Sequence, residues 1–294
     1  DLARPSNHPA CFKRFWERML ATASQARIAP AQDGSVHVPS GVFFPDKALN
    51  SAQVSALKEI GGQVITEDLR QFRTAVNQLG APFLTFERLV GLLEQAMSPQ
   101  TAGALQVEED RLEGFYRPLW GMINELFPEA IAPPPATKAA IQRLQAIPFV
   151  VTEDLYAVTI SQSFVASAAL EAGKVASLLP RLSIASHKIL GFPKIARQIR
   201  QLELGAVVSH LSSMCATDTI EDVIGVEQEE LRDLYAMFAD LDRHGNVDAA
   251  AYQSLRNLPI WLSSRGLIKT SQALLPGNFT DPTGQADLLG GCRT

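Results

Sequence analysis

Little in this chain of 294 residues points to chemistry. Its three cysteines, Cys11, Cys215 and Cys292, are far apart and odd in number, and none forms a Cys-x-x-Cys pair. That argues against a disulfide framework or a thiolate zinc site and fits a reducing, cytoplasmic compartment. No apolar run approaches the roughly 20 residues that span a bilayer, and no secretory signal is visible, so no membrane partner is expected. Neither sign of charge dominates: 26 Lys and Arg stand against 31 Asp and Glu, a net charge of -5. Overall charge therefore exerts no pull toward nucleic acid or anionic lipid. The phosphate-binding loop, the dinucleotide fingerprint, the His-Glu-x-x-His helix and the Gly-x-Ser-x-Gly elbow are all missing. Gly61-Gly62 sits where a helix ends, not at the helix start that a phosphate cradle needs. No motif calls for a cofactor, a metal or a catalytic residue.

What is present is ordinary globular composition, 46% hydrophobic and 19% charged, patterned as a helix-rich α+β chain. Phe12, Phe15, Trp16, Met19 and Leu20 recur at helical spacing. Asp33-Gly34 between Ile28-Ala29-Pro30 and Val36-His37-Val38 signals a hairpin. Gly61 closes one helix; Thr66 can cap the next, which Gly80 ends, and Thr85 starts another. Leu69, Phe72, Val76 and Leu79 form one stripe, and Phe86, Leu89, Val90, Leu93 and Met97 another. A longer helix carries Leu112 to Leu126, with Pro118 expected to bend it. Trp16, Trp120 and Trp261 sit among apolar neighbours and read as packing residues.

Three stretches share a plan: IAPAQDGSVHVPSGVFFP from Ile28, FVVTEDLYAVTISQSFV from Phe149 and IWLSSRGLIKTSQALLP from Ile260. Each has an apolar start, a polar turn, a β-like run, a serine and an apolar close. With Gly34, Leu155 and Gly266 taken as equivalent turn positions, hairpin, short helices and long helix recur at a long period. Leu79-Gly80-Ala81 and Leu204-Gly205-Ala206 follow similar helices, the second bearing Ile195, Ile199 and Leu202 on one face. The expected organisation is a first helical and hairpin unit over 1–131, a Pro-rich linker over 132–136, a second unit over 137–258 and a third beginning at 259–294. The chain opens at Asp1 without a methionine and closes on Gly290-Gly291-Cys292-Arg293-Thr294; it reads as a piece of a longer protein.

Leu258-Pro259-Ile260-Trp261, Arg265-Gly266 and Ala273-Leu274-Leu275-Pro276 resemble a phrase that recurs in large sacsin-like proteins, downstream of their ATP-binding domain of the histidine-kinase and heat-shock-chaperone type. Ala146-Ile147-Pro148-Phe149 resembles a second copy, and Ile28, Asp33, Gly34 and Pro45 suggest a third. The resemblance covers about a quarter of the chain and rests on structural residues. It implies a middle region of a large ATPase-linked protein, chaperone-like or belonging to bacterial defence, whose partners are other domains of the same chain or another protein. The Asn-x-x-Asp-Ala and Asp-x-Gly-x-Gly phrases of the ATP site are missing, so no ATP-binding residue carries over.

Two features allow other readings. Between Glu171 and Glu203 every charged residue is basic, including Lys174, Lys188, Lys194, Arg197 and Arg200, whereas Thr217 to Asp248 is strongly acidic. Lys188, Lys194, Arg197 and Arg200 are the candidate contacts to nucleic acid or a protein partner, the competing reading being a basic face paired internally or solvated. Asp240-Leu-Asp242-Arg-His244-Gly245-Asn246-Val247-Asp248 resembles the start of a calcium-binding loop. Ala251 stands where the bidentate carboxylate belongs, which favours a helix-turn-helix joint. A site assembled from distant residues, such as His187 with His210 and an acid, is the remaining alternative.

Overall fold

The computed structural model describes residues 10–97, 105–130, 132–166, 170–215, 228–244, 249–263 and 266–268. The chain is helix-rich α+β, its sheets having only two or three strands. It divides into two compact units. The first takes the chain to Val151 with Leu155–Ser161 and Lys188–Gln198; the second takes Thr152–Asp154, Gln162–His187 and the chain from Ile199 on.

In the first unit, helix α1 (Ala10–Gln25) leads to a hairpin of β1 (Ala29–Pro30) and β2 (Val36–His37), with Ala29 opposite His37. Its turn is made by the residues expected. Gly34 takes φ +80°, and the Asp33 carboxylate accepts from the Ser35 amide at 3.0 Å. After a 3-10 turn at Pro39–Gly41 comes α2 (Ser51–Glu59), opened by a capping box in which Asn50 and Gln53 each accept the other's backbone amide. Gly61 ends it at φ +86°. Gly62 is a packing glycine: a Cβ there would lie 2.7 Å from Leu57 Cγ.

The stripe from Leu69 to Leu79 is not one helix. Glu67–Phe72 is 3-10 and α3 (Arg73–Gln78) is short, which leaves Phe72 exposed. Thr85 caps α4 (Phe86–Ala96), accepting from the Arg88 amide, and Phe86, Leu89, Val90 and Leu93 are buried. Strand β3 (Leu105–Gln106) precedes the long helix, whose first turn is α5 (Glu109–Arg111) and whose body is α6 (Arg117–Leu126). Between them Leu112–Tyr116 is π-helical, and the Arg117 amide reaches the Leu112 carbonyl. Pro118 follows directly. It has no N–H for the carbonyl four residues back, and the widened turn lies where that ladder is broken. Helix α7 (Pro135–Ala146) packs on α4, and α2 packs on α6. Strands β4 (Val150–Val151) and β5 (Tyr156–Val158) form the next hairpin, with β3 on the outer side of β5. Within this core the Trp120 indole N–H donates to the Phe149 carbonyl at 2.9 Å, and both residues are fully buried.

The second unit contains β6 (Phe164–Val165), α8 (Ala172–Leu178), β7 (Arg200–Gln201), α10 (Leu204–Cys215), α11 (Gln228–His244), α12 (Ala249–Asn257) and a hairpin of β8 (Trp261–Ser263) and β9 (Gly266–Ile268). Val175, Leu179, Ile184, Val207, Leu211, Leu234 and Phe238 lie in one apolar cluster. Helix α9 (Pro193–Ala196), which belongs to the first unit, has four residues. The helix expected to carry Ile195, Ile199 and Leu202 on one face therefore does not exist. Arg200 and Gln201 leave it to pair in parallel with Phe164 and Val165, a long-range bond that helical periodicity cannot reveal. Leu155 sits at the turn with φ +59°, but Gly266 opens β9 opposite Ser263 and is not a turn residue.

Backbone hydrogen bonds correspond between the units. The Gln32 amide donates to the Val64 carbonyl as Glu153 does to Ile184. Phe43 donates to Gln63 as Phe164 does to Ser183, and Ile65 to Phe43 as Ala185 to Phe164. Leu84 donates to Phe44 as Leu202 does to Val165. The helices match in order: α12 packs on α10 as α7 does on α4, and α11 on α8 as α6 does on α2. At the end of the second unit the Tyr235 hydroxyl donates to the Ile260 carbonyl at 2.6 Å, one residue before β8, just as Trp120 serves the residue before β4.

Candidate functional site

The four basic candidates do not lie on one helix. Lys188 lies in the 3-10 turn His187–Gly191, Lys194 is in α9, Arg197 follows it and Arg200 is in β7. Lys188 is held between Glu109 and Glu113 of the long helix, 2.9 Å from the latter. These carboxylates raise the ammonium above its ordinary range, Glu109 most. Glu113 is in turn held below the usual carboxylate range, first by Arg117 and then by Lys188. Lys194 pairs with Glu129 at 2.7 Å, and its backbone amide donates to Asn124 Oδ1; its ammonium holds the Glu129 carboxyl low. Arg200 lies over the Phe164 ring, 4.9 Å from its centroid. Arg197 is exposed. Of the basic stretch, Lys174 meets the acidic segment, at Asp233, 2.8 Å away. The acids that hold Lys188 and Lys194 lie some 65 to 80 positions earlier in the sequence, so spacing within the basic stretch could not find them.

His37, His187 and His210 make separate hydrogen bonds. His37 is 2.7 Å from the Ser35 hydroxyl. His187 caps its turn onto Glu153, whose Oε1 accepts the His187 amide at 2.6 Å and faces the ring Nδ1 at 2.8 Å. His210 Nε2 is 2.9 Å from the Pro180 carbonyl, an acceptor only, which places the proton on Nε2. Among the described residues no group of three or more His, Cys, Asp or Glu is arranged to hold a metal. Asp240 and Asp242 lie within α11, and the Tyr252 hydroxyl of α12 donates to Asp242. The rest of the calcium-loop-like segment, from Gly245 to Asp248, lies outside the described residues, as do His8 and Ala273 to Pro276.

The first unit has a half-open apolar cleft lined by Pro45, Leu49, Leu84, Met122 and Leu126, with Asp46, Lys47 and Glu125 among its walls. Its volume of about 120 Å³ is below the roughly 300 Å³ at which small-molecule pockets begin. Asp46 is paired with Arg73 at 2.8 Å. This arrangement can seat an apolar side chain.

Among the described residues, the carbonyls of two fully buried residues, Phe149 and Ile260, are each reached by an aromatic donor. The sequence marks Trp120 only as a packing residue. The Tyr235 and Trp261 rings stack at 5.4 Å and 12°. Comparison with protein-family models, curated proteins and solved structures finds no match for this chain.

Proposed function

We propose that this chain is a non-catalytic structural and interaction module, built from tandem units of one plan, within a large ATPase-linked protein of sacsin-like type. The observation that carries the reading is the correspondence of backbone hydrogen bonds, from Gln32, Phe43, Ile65 and Leu84 to Glu153, Phe164, Ala185 and Leu202. Units that recur along a chain make extended scaffolds whose surfaces bind and position partners. The ion pairs of Lys188 and Lys194 support the same reading, because those side chains hold the fold's own acids. The ATPase link rests on the phrase around Leu258-Pro259-Ile260-Trp261.

Titration of the chain with Mg-ATP, followed by calorimetry and phosphate release, tests the assignment of nucleotide chemistry to another part of the protein. The expected result is neither saturable heat nor turnover. Saturable binding at micromolar nucleotide would sink the reading.

A further inference from the structure

The helix before each hairpin ends at the same distance from it. Helix α1 ends at Gln25 before β1 at Ala29, α7 at Ala146 before β4 at Val150, and α12 at Asn257 before β8 at Trp261. This fixes residue equivalence between the first two: Met19 with Ala140, Ile28 with Phe149, Val36 with Ala157. Their exposures are opposite. Ala140 and Phe149 are 0% exposed and Ala157 3%; Met19 is 39% exposed, Ile28 47% and Val36 46%.

The structure shows what covers the second set. Helix α7 lies on α4, with the Thr137 hydroxyl donating to Glu87 at 2.5 Å and Arg143 paired with Glu94 at 3.0 Å. The Phe149 carbonyl receives the Trp120 N–H. Strand β3 pairs with β5, setting Leu105 opposite Ala157. These covering elements all precede α7 in the chain. In the second unit the arrangement recurs, with α12 on α10 and Tyr235 on the Ile260 carbonyl. Among the described residues β1 and β2 form a two-stranded sheet, with no strand playing the part of β3. On α1, the exposed Met19 stands among charged and exposed residues, Arg14, Glu17 and Arg18.

We propose that α1 and the β1–β2 hairpin form a docking face for a further unit of this same architecture. That unit lays its α4-type helix along Met19, offers an aromatic N–H or O–H to the Ile28 carbonyl, and adds a short strand to β2 at Val36. A second copy of this chain is the wrong occupant, because its α4-type helices are already covered, α4 by α7 and α10 by α12. The inference rests on the tandem-unit reading above, and extends it to a surface.

The test joins Pro134 of a leading copy, residues 1–134, to Arg14 of a trailing copy, residues 14–294, so that α1 takes the place of α7. Ile28→Val in the leading copy makes the two versions of residues 14–37 distinguishable by mass in hydrogen exchange. The trailing segment is expected to exchange at least about tenfold more slowly than the leading one. Equal rates, with α2 and α4 of the added copy protected, would overturn the docking face and leave the tandem reading standing. An added copy that exchanges as unfolded chain would overturn both. In the unaltered chain, Met19→Glu is expected to leave the thermal midpoint unchanged while Ala140→Glu lowers it. An equal fall for both would show that the face is already packed. Self-association of the unaltered chain that Met19→Glu abolishes would assign the face to a second copy and overturn the proposal.

Discussion

Replacing Trp120 with Phe removes one donor from a site that water cannot reach. Trp120 and Phe149 are both 0% exposed, and the indole N–H is 2.9 Å from the Phe149 carbonyl. The carbonyl is left without this donor, at a cost of about 1–3 kcal/mol. The smaller ring also leaves a void and loosens the edge contact with Phe192, whose ring centroid is 5.8 Å away, adding about 1 kcal/mol. The matching change in the second unit, Tyr235→Phe, keeps the ring stacked on Trp261 and removes only a hydroxyl from a half-buried site. Its cost is about 1 kcal/mol. A chain of two units need not unfold in one step, so a global midpoint would blur the comparison. Native-state hydrogen exchange resolves it by position. Trp120→Phe should speed exchange in the β4–β5 hairpin by about 30-fold or more, since each 1.4 kcal/mol is about tenfold. Tyr235→Phe should speed exchange in the β8–β9 hairpin about fivefold. If Trp120→Phe leaves the β4–β5 amides unchanged, or affects them less than Tyr235→Phe affects β8–β9, the aromatic donors are not what anchors each hairpin.

Three further outcomes follow from particular contacts. Gly62→Ala places a Cβ 2.7 Å from Leu57 Cγ and 3.0 Å from Leu92 Cδ1, and should cost about 1–3 kcal/mol in denaturant unfolding read on the first unit. Asn50→Ala breaks the capping box of α2 and should cost about 1 kcal/mol, with the loss of helix confined to α2 in carbon chemical shifts. Asp33 is held well below the usual carboxylate range, first by its hydrogen bond to Lys58 and next by Ser35. Because its folded value is depressed, its contribution to stability is present above the unfolded value of about 3.9 and fades as pH falls below that toward the folded value. A side-chain titration by NMR with an ordinary midpoint would refute the Lys58 pairing, and Lys58→Met should move the midpoint up.

The local signals in the sequence were sufficient where one short stretch determines the outcome. Asp33-Gly34 specifies its turn because glycine takes the left-handed conformation freely and Asp33 satisfies the Ser35 amide. Gly61, Gly80 and Thr85 mark helix ends for similarly local reasons. Ile195, Ile199 and Leu202 keep helical spacing through the basic stretch, while the competing partner of Arg200 and Gln201 is β6, some 36 positions away. Long-range pairing of two-residue strands leaves almost no periodic trace. The engagement of Lys188 and Lys194 was hidden for the same reason, since Glu109, Glu113 and Glu129 lie in another part of the chain. The π turn before Pro118 was half legible: a proline predicts a broken ladder, but not whether the helix bends or widens to absorb it.

The correspondence between the units lies in backbone bonds more than in side chains, and this follows from what burial requires. A buried carbonyl must find a donor whatever residue supplies it. Trp120 and Tyr235 are different residues, one offering N–H and the other O–H, yet each serves the carbonyl just before a hairpin. The parallel bridges of Phe43 with Val64 and of Phe164 with Ile184 likewise keep their geometry while their neighbours change from Gln63 to Ser183. The peptide groups carry the plan, because an amide left unpaired inside either unit would cost about 1–3 kcal/mol, while an exchange of Ile for Val in its core costs about 0.5–1.5 kcal/mol. Each added unpaired peptide group would thus consume a sizeable part of a unit's total stability of about 5–15 kcal/mol, so the hydrogen-bond pattern is the part of such a unit least free to vary.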